Sequence, residues 1–574
     1  MYQRFLIHTF LPAVILVLCN SQTVPSAASQ PSKTEFEALA APLIKRSYLA
    51  DKPGAAVLVV RGDEVLLRTA RGLADYDSKK PLGADALFRI GSVTKQMTAA
   101  GLLLLVEGGK VRLEDPISKY VPDIPDGDRI TLHQLLNHTS GVRNFTNLPG
   151  YVDEVIRRDM NTRELIDLFR KEKSDFAPGT NWSYSNSGYI LIGAVIESVA
   201  GKPWHTYLAD VLFRPLGMTN TGYGHDPLFS SRQVKGHSYH GAEVVPMKAM
   251  SMTHPHGAGA IVSCLEDLHR WNRALHEGRV LKNETYQKMI TPVGPAAGVG
   301  NSYGYGVQAD MLRTSSSLYH GGRIFGYASL LTYVPGADIS VVVLENNDSS
   351  EGPESSYTLT RRLAALAMGD PYPEHRTMTV EPAQLKEAEG VYRFAGDVIR
   401  IVRVVEGALT AQRDRGPRRL LSAISKDDYL YEDGFNRFKL ERDGSGKIKS
   451  MRFYPKGDGP GEIGLRTEDP LPAEPVGLKL SKPEMERVTG DYSRGGMKMR
   501  VFVKGDTLMA QLAGQDPVTL RAMSSTRFDV VETAATLEFS AVKSKDSGST
   551  APEPPADEVT LKQNGREMIL KRVP

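Results

Sequence analysis

An internal repeat constrains this chain more than any other feature: Gly390-Val-Tyr392 returns as Gly490-Asp-Tyr492, and Gly407-Ala-Leu-Thr-Ala-Gln412 returns as Gly505-Asp-Thr-Leu-Met-Ala-Gln511. A period of about one hundred residues, in a stretch of short strands with Gly and Asp turns, reads as two similar all-β modules. Each is large enough for a small antiparallel, lipocalin-like barrel. Residues 386–470 and 471–574 are assigned to them, with Pro470 to Pro475 between. Lys543 to Asp557, rich in Ser, Pro and Glu, reads as a mobile loop of the second module.

The preceding residues have a different texture. Asp370-Pro-Tyr-Pro-Glu-His375 opens a linker, placed at 371–385. Residues 29–370 place strand runs at both ends of a helical middle. Ala55 to Val60 and Val65 to Ala70 are joined through Arg61-Gly-Asp-Glu64 as a hairpin, and Ile339 to Leu344 closes the sheet. Tyr357 to Met368 is an amphipathic helix that packs back over it. The order is α+β, an antiparallel sheet flanked by helices. A chain of 574 residues exceeds one hydrophobic core, which agrees with this division.

Residues 1–28 read as a signal peptide: Arg4 supplies a positive start, Phe5 to Cys19 an apolar run, and Ser26-Ala-Ala28 small residues for cleavage. The expected product is periplasmic or secreted, with no stable membrane span after cleavage, because the apolar run is shorter than the ~20 residues of a spanning helix. An uncleaved anchor or a lipidated Cys19 is the lesser alternative. Cleavage before Ser29 leaves Cys264 alone, so packing rather than an intrachain disulfide holds the fold. The net charge of +3 and the lack of a long basic block argue against a nucleic-acid partner.

Ser92-Val-Thr-Lys95 carries the chemistry. Positions three apart on a helix share a face, so the hydroxyl has a proton acceptor beside it. The apolar run Gln96 to Val106 continues the helix and places Ser92 near its N-terminus, where free backbone N–H groups favour developing negative charge. The second Ser-x-x-Lys, Ser540 to Lys543, follows a strand-like alternation that sends residues three apart to opposite faces. Pro178 to Asn186 is a turn before a helix, Gly188 to Ala200, and presents Tyr184 and Asn186 at its mouth. Tyr319-His-Gly-Gly-Arg323 precedes a strand run, Ala328 to Val334, and its glycines let backbone approach a substrate.

Ser-x-x-Lys, then Tyr-x-Asn, then a basic residue before Gly-Gly resembles the penicillin-binding-protein and serine β-lactamase superfamily. Leu135 to Gly141, Gly257 to Ser263 and Val343 to Asn347 resemble segments of its class C-like branch, and the trailing modules resemble the D-aminopeptidase arrangement. The resemblance implies a β-lactamase/transpeptidase-like catalytic domain with Ser92, Lys95 and Tyr184 as catalytic residues. Ser92 attacks a carbonyl, and either Lys95 or Tyr184 takes its proton. Asn186 orients Lys95 and the substrate amide. His320, Gly321, Gly322 and Arg323 line the substrate, with the oxyanion between the backbone N–H groups of Ser92 and Arg323. His138 and Thr139 lie in a family turn and are structural.

No cofactor and no metal is expected. His237, His240, His254 and His256 lack the carboxylate or cysteine spacing of a zinc site, and no His-Glu-x-x-His occurs. The absence of Gly-x-Ser-x-Gly argues against an α/β-hydrolase. The third motif departs from the family's lysine: a neutral His320 draws an anionic substrate less and repels an ammonium less, whereas the Arg323 guanidinium could still hold a carboxylate. The reading is a serine hydrolase of small amides, esters or short peptides, D-aminopeptidase-like or esterase-like. A D,D-carboxypeptidase, a β-lactamase or a non-catalytic binding protein is the alternative. A further expectation is that a turn such as Gly457 to Glu462 reaches back over the cleft with a carboxylate.

Overall fold

Alternation with a period of two sorts the valine-rich strands into two buried faces. The strands are β1 (Ala55–Arg61), β2 (Glu64–Arg71), β3 (Gln308–Leu312), β4 (Ser315–Ile324), β5 (Tyr327–Val334) and β6 (Ile339–Glu345), in the spatial order β3-β4-β5-β6-β1-β2. All neighbours are antiparallel. The computed structural model describes residues 30–573, apart from 149–150, 152–154, 241–242, 299–301, 349–354, 415, 433, 458, 474–476, 495–496, 513–516, 532, 534, 541–554 and 564–565. The expected signal peptide and most of the expected loop at 543–557 lie outside the described residues.

Ala56, Leu58, Val342 and Leu344 face the larger core, which contains the helices α2 (Thr94–Glu107), α3 (Asn186–Ala200) and α4 (Leu265–His276). Their neighbours Ala55, Val57, Val341 and Val343 face the other side, where α1 (Lys33–Ser47) and α5 (Ser356–Ala367) pack through Phe36, Ile44, Leu359 and Leu363. Every residue of α2 from Thr94 to Leu103 is buried, as is every residue of α3 from Ser187 to Ile196. A helix that is apolar nearly all round has no solvent face, so these two run through the middle of the domain. The polar residues at their N-termini are thereby carried into the interior. No described helix is long and apolar enough to cross a membrane.

The remaining chain forms two closed eight-stranded antiparallel barrels, from Gly390–Arg393 to Glu462–Arg466 and from Gly490–Arg494 to Arg566–Arg572. Closure pairs Tyr392 with Arg466 in one and Tyr492 with Arg572 in the other. The repeated tyrosines serve the same purpose: Tyr392 donates to the Ala388 carbonyl and Tyr492 to the Val488 carbonyl, both at 2.9 Å.

The first barrel docks on the α5 side of the sheet. Its Phe435 enters the smaller core against Tyr372, with ring centroids 4.9 Å apart. Arg362 of α5 donates to the Gly434 carbonyl at 2.9 Å, and Lys456 pairs with Asp310 of β3. The turn expected to cover the cleft therefore begins beside α5: Lys456 is spent on Asp310, and the Gly457 carbonyl accepts from Arg437 at 3.0 Å.

Candidate active site

Ser92 sits in a 3-10 turn, Gly91–Val93, that runs directly into α2. Gly91 is required there for two reasons. Its φ is +47°, and a Cβ would stand 3.0 Å from the Arg323 nitrogen. The turn is pinned from the sheet as well, since Ser329 of β5 donates to the Ile90 carbonyl at 2.8 Å.

One turn further on, Lys95 is fully buried. Its Nζ lies 2.8 Å from Asn186 Oδ1, 2.8 Å from the Ala258 carbonyl and 3.1 Å from Ser92 Oγ. Burial drives its pKa well below the ordinary lysine range, because the charged form loses its water. A neutral amine has two N–H donors and one lone pair. Two carbonyl oxygens take the donors, which leaves the lone pair for the Ser92 hydroxyl.

Tyr184 approaches Ser92 from the other side. Burial raises its pKa above the usual phenol value, opposed only in part by its interaction with Ser92. The Lys95 nitrogen lies 4.8 Å from the Tyr184 ring centroid. His138 holds the tyrosine in place: its ring packs 4.4 Å from that of Tyr184 and 4.6 Å from that of Tyr303, and its Nδ1 accepts from the Ser185 N–H at 3.2 Å. The loop signal Asn137-His-Thr139 thus belongs to the wall behind the tyrosine.

The third motif behaves differently from expectation. His320 is 3% exposed and is not among the described residues that line the cavity beside Ser92. Its Nδ1 donates to the Gly321 carbonyl at 2.6 Å and its Nε2 accepts from the Tyr303 hydroxyl at 2.7 Å, so both nitrogens are engaged in the neutral form. Burial lowers its pKa to about 3. Arg323 pairs in register with Ala328, which pairs with Glu345, so its side chain shares the α1–α5 face of the sheet rather than the cleft. What Arg323 offers the cleft is backbone. β4 extends past β3, which pairs only with Ser315 to Tyr319, and this open end lies along the Ser92 turn. Gly322 is there because a Cβ would fall 2.0 Å from the Ile90 carbonyl, whereas a Cβ on Gly321 would make an ordinary contact with Leu330.

Between these parts lies a cavity of about 360 Å³ lined by Ser92, Asn186 and Ala258 at one end. Its other walls are mostly apolar, with Phe145, Tyr151, Ile156, Met250, Ile324 and Phe325, and carry Thr146 and Asp348 as polar exceptions. All described residues lining it fall between Gly91 and Asp348, and none of them belongs to a barrel. Among the described residues no group of three or more His, Cys, Asp or Glu is placed to hold a metal ion.

Residues 44–367, more than half of the chain, match the family described as Beta-lactamase. The chain belongs to that family. Its first domain has the β-lactamase-like fold. It is 31% identical over 254 residues to a putative penicillin-binding protein, PbpX, of Bacillus subtilis, a match covering 43% of this chain and 60% of that protein. It is 28% identical over 337 residues to a D-aminopeptidase of Gluconobacter oxydans, covering 58% of this chain and 62% of that protein. The matched part thus spans about three-fifths of those relatives' length. Among solved structures, the D-amino acid amidase of Ochrobactrum anthropi SV3 complexed with L-phenylalanine amide is similar at 26% identity and a TM-score of 0.51, covering 58% of this chain and 95% of that one.

In this member of the β-lactamase family, sequence reasoning named the residues around Ser92 and missed those that complete their shell. Ala258 was passed over because it acts through its carbonyl, for which any residue type serves; the surrounding Gly257-Ala-Gly-Ala signal marked the segment without marking the atom. Tyr303 gives no signal of its own, and only its partner His320 reveals it. Asp348 follows the Val343 to Asn347 run directly and was left out for lack of a motif.

Proposed function

We propose that this chain is an exported serine hydrolase that forms an acyl-enzyme on Ser92 and acts on small amides or esters derived from amino acids, as a D-aminopeptidase or amidase does. The observation that carries the mechanism is the contact set of Lys95, a fully buried amine with two carbonyl acceptors and the Ser92 hydroxyl. Lys95 takes the Ser92 proton as Oγ attacks the carbonyl carbon. The oxyanion develops between the backbone N–H groups of Ser92 and Arg323. Tyr184 gives its proton to the leaving nitrogen, and the Lys95 ammonium restores it. Water then repeats the sequence on the ester. Export rests on the apolar run after Arg4 and the small residues before Ser29.

The substrate class is supported by the size and chemistry of the cavity and by similarity to a D-aminopeptidase and a D-amino acid amidase. A volume of about 360 Å³ is near the small end of the usual pocket range, which suits one residue with an apolar side chain. The test is a hydrolysis panel of D- and L-phenylalanine p-nitroanilide, a p-nitrophenyl ester and a chromogenic cephalosporin. Turnover of the D-anilide at the highest kcat/KM is expected; a preference for the cephalosporin would replace this reading with that of a β-lactamase.

A further inference from the structure

Three basic residues belong to the motifs around the reacting serine, Lys95, His320 and Arg323, and none turns a charged side chain to the cavity. Lys95 is buried behind the wall with its Nζ turned to Asn186 and the Ala258 carbonyl, His320 has both nitrogens occupied, and the register of β4 turns the Arg323 side chain to the opposite face of the sheet. Among the described lining residues, Asp348 is then the only side chain that brings a charge to the wall. The cleft is an apolar chamber with one anion.

The carboxylate is built in rather than incidental. Asn346 fixes the approach by accepting from the Gly54 N–H at 2.8 Å and donating to the Leu73 and Lys235 carbonyls at 2.9 and 3.0 Å. The Asp348 N–H reaches the His237 carbonyl at 3.3 Å. Its Oδ2 accepts from the Gly326 N–H at 2.7 Å and from Ser238 Oγ at 3.0 Å. Gly326 is the tip of the hairpin between β4 and β5, whose Ile324 and Phe325 line the same cavity. One oxygen thus clamps the hairpin and fixes the plane of the carboxylate. That leaves Oδ1 as a lone-pair acceptor at the wall.

We infer that Asp348 is the specificity-determining residue of the cleft, holding the free α-ammonium of an amino-acid amide or short peptide whose carbonyl lies at Ser92. The inference rests on the amidase reading and sharpens it: the substrate carries an unblocked amino terminus and an apolar side chain, and a carboxylate near that position is repelled. An ammonium on Oδ1 makes a charge-assisted hydrogen bond inside a largely apolar wall, where such bonds discriminate most.

Binding separates this from catalysis. In full-length Ser92→Ala protein, calorimetry compares D-phenylalanine amide with 3-phenylpropanamide, which lacks only the ammonium. The amide of the amino acid is expected to bind about 10- to 100-fold more tightly, the factor of one charge-assisted hydrogen bond. Adding Asp348→Asn should erase that advantage while leaving 3-phenylpropanamide within about twofold, because the asparagine carbonyl still accepts from Gly326 and Ser238. An advantage that survives Asp348→Asn, or equal binding of both compounds to the Ser92→Ala protein, overturns the assignment and leaves Asp348 as a hairpin clamp only. Wild-type protein that hydrolyses esters but no aminoacyl anilide would defeat the amidase reading without touching this result.

Discussion

The interior of the catalytic domain and the interiors of the barrels both bury tyrosines, yet they satisfy the hydroxyls in different ways. Around Ser92 the domain packs Lys95, His138, Tyr184, Tyr303 and His320 in mutual contact, and its key bonds join elements distant in sequence: Lys95 to Asn186 and Ala258, Ser185 to His138, and Tyr303 to His320. In the barrels, Tyr392 and Tyr492 satisfy their hydroxyls on carbonyls four residues upstream. A locally satisfied hydroxyl completes a core. A network assembled from distant elements shifts the proton affinities of its members, and that is what the reaction uses.

The largest expected effect breaks this comparison at its centre. Ser92→Ala should lower kcat by on the order of 10³ to 10⁶ with an unchanged melting temperature, because the nucleophile is lost and the replacement is smaller. Retained turnover would remove Ser92 from the mechanism. Lys95→Ala and Tyr184→Phe should each cost nearly as much, and either one combined with Ser92→Ala should add little, since the groups act as one unit. Additive losses, measured as kcat/KM on one substrate, would mean the network is a set of independent sites.

The pH profile follows from the directions of the shifts. Protonating Lys95 fills the lone pair that receives the Ser92 proton, so activity should rise with pH through its lowered pKa, well below the ordinary lysine range. Tyr184 is raised, so its ionisation should appear only above the usual phenol range. His320, near 3, should contribute no step between pH 5 and pH 8. A step in that window lost in His320→Asn would show that the histidine titrates in the open cleft after all.

The same contrast explains what could be read from the sequence. Hairpin β1–β2, strand β6, helices α2 and α3 and the barrel repeat all announce themselves through local periodicity or duplication, and the structure contains each of them. Ser92, Lys95 and Asn186 were legible because two short motifs carry them. Illegible were the directions in which side chains point. Arg323 follows Gly-Gly directly and reads as a cleft residue, but strand register sends it to the face of Glu345. His320 reads as a substrate contact, but Tyr303, 17 residues earlier in the chain, claims its Nε2. The turn at Gly457 reads as a lid, but Lys456 beside it finds Asp310 on the far side of the sheet. Each depends on long-range packing, which no local pattern encodes.

Phe435→Ala sharpens the boundary between the two regions. Removing a buried aromatic ring from a core typically costs about 3 to 5 kcal/mol, here where the first barrel meets α5. Because every described residue lining the cavity lies between Gly91 and Asp348, relative kcat/KM values across the hydrolysis panel should stay the same in the folded variant. A changed substrate ranking with an intact fold would show that the barrel reaches the cleft through contacts other than those of its docking face.

The smallest expected effect compares the twin barrels with each other. Tyr392→Phe removes a hydroxyl that donates to the Ala388 carbonyl, a loss of about 1 kcal/mol for a neutral hydrogen bond. Tyr492→Phe removes the equivalent bond to Val488 and also the acceptor of Arg572 Nη2 at 2.9 Å. Hydrogen bonds to charged groups are worth about 1.5 to 3 kcal/mol, so the second substitution should cost more than the first. Arg572 keeps the Ala556 and Arg487 carbonyls, at 2.7 and 3.1 Å, which limits the difference. Urea unfolding of each full-length variant, with kcat/KM measured alongside, reads both quantities. Equal losses would mean that the arginine at the seam of the second barrel gains nothing from the tyrosine. A fall in kcat/KM in either variant would erase the distinction between locally satisfied and catalytically coupled tyrosines on which the comparison stands.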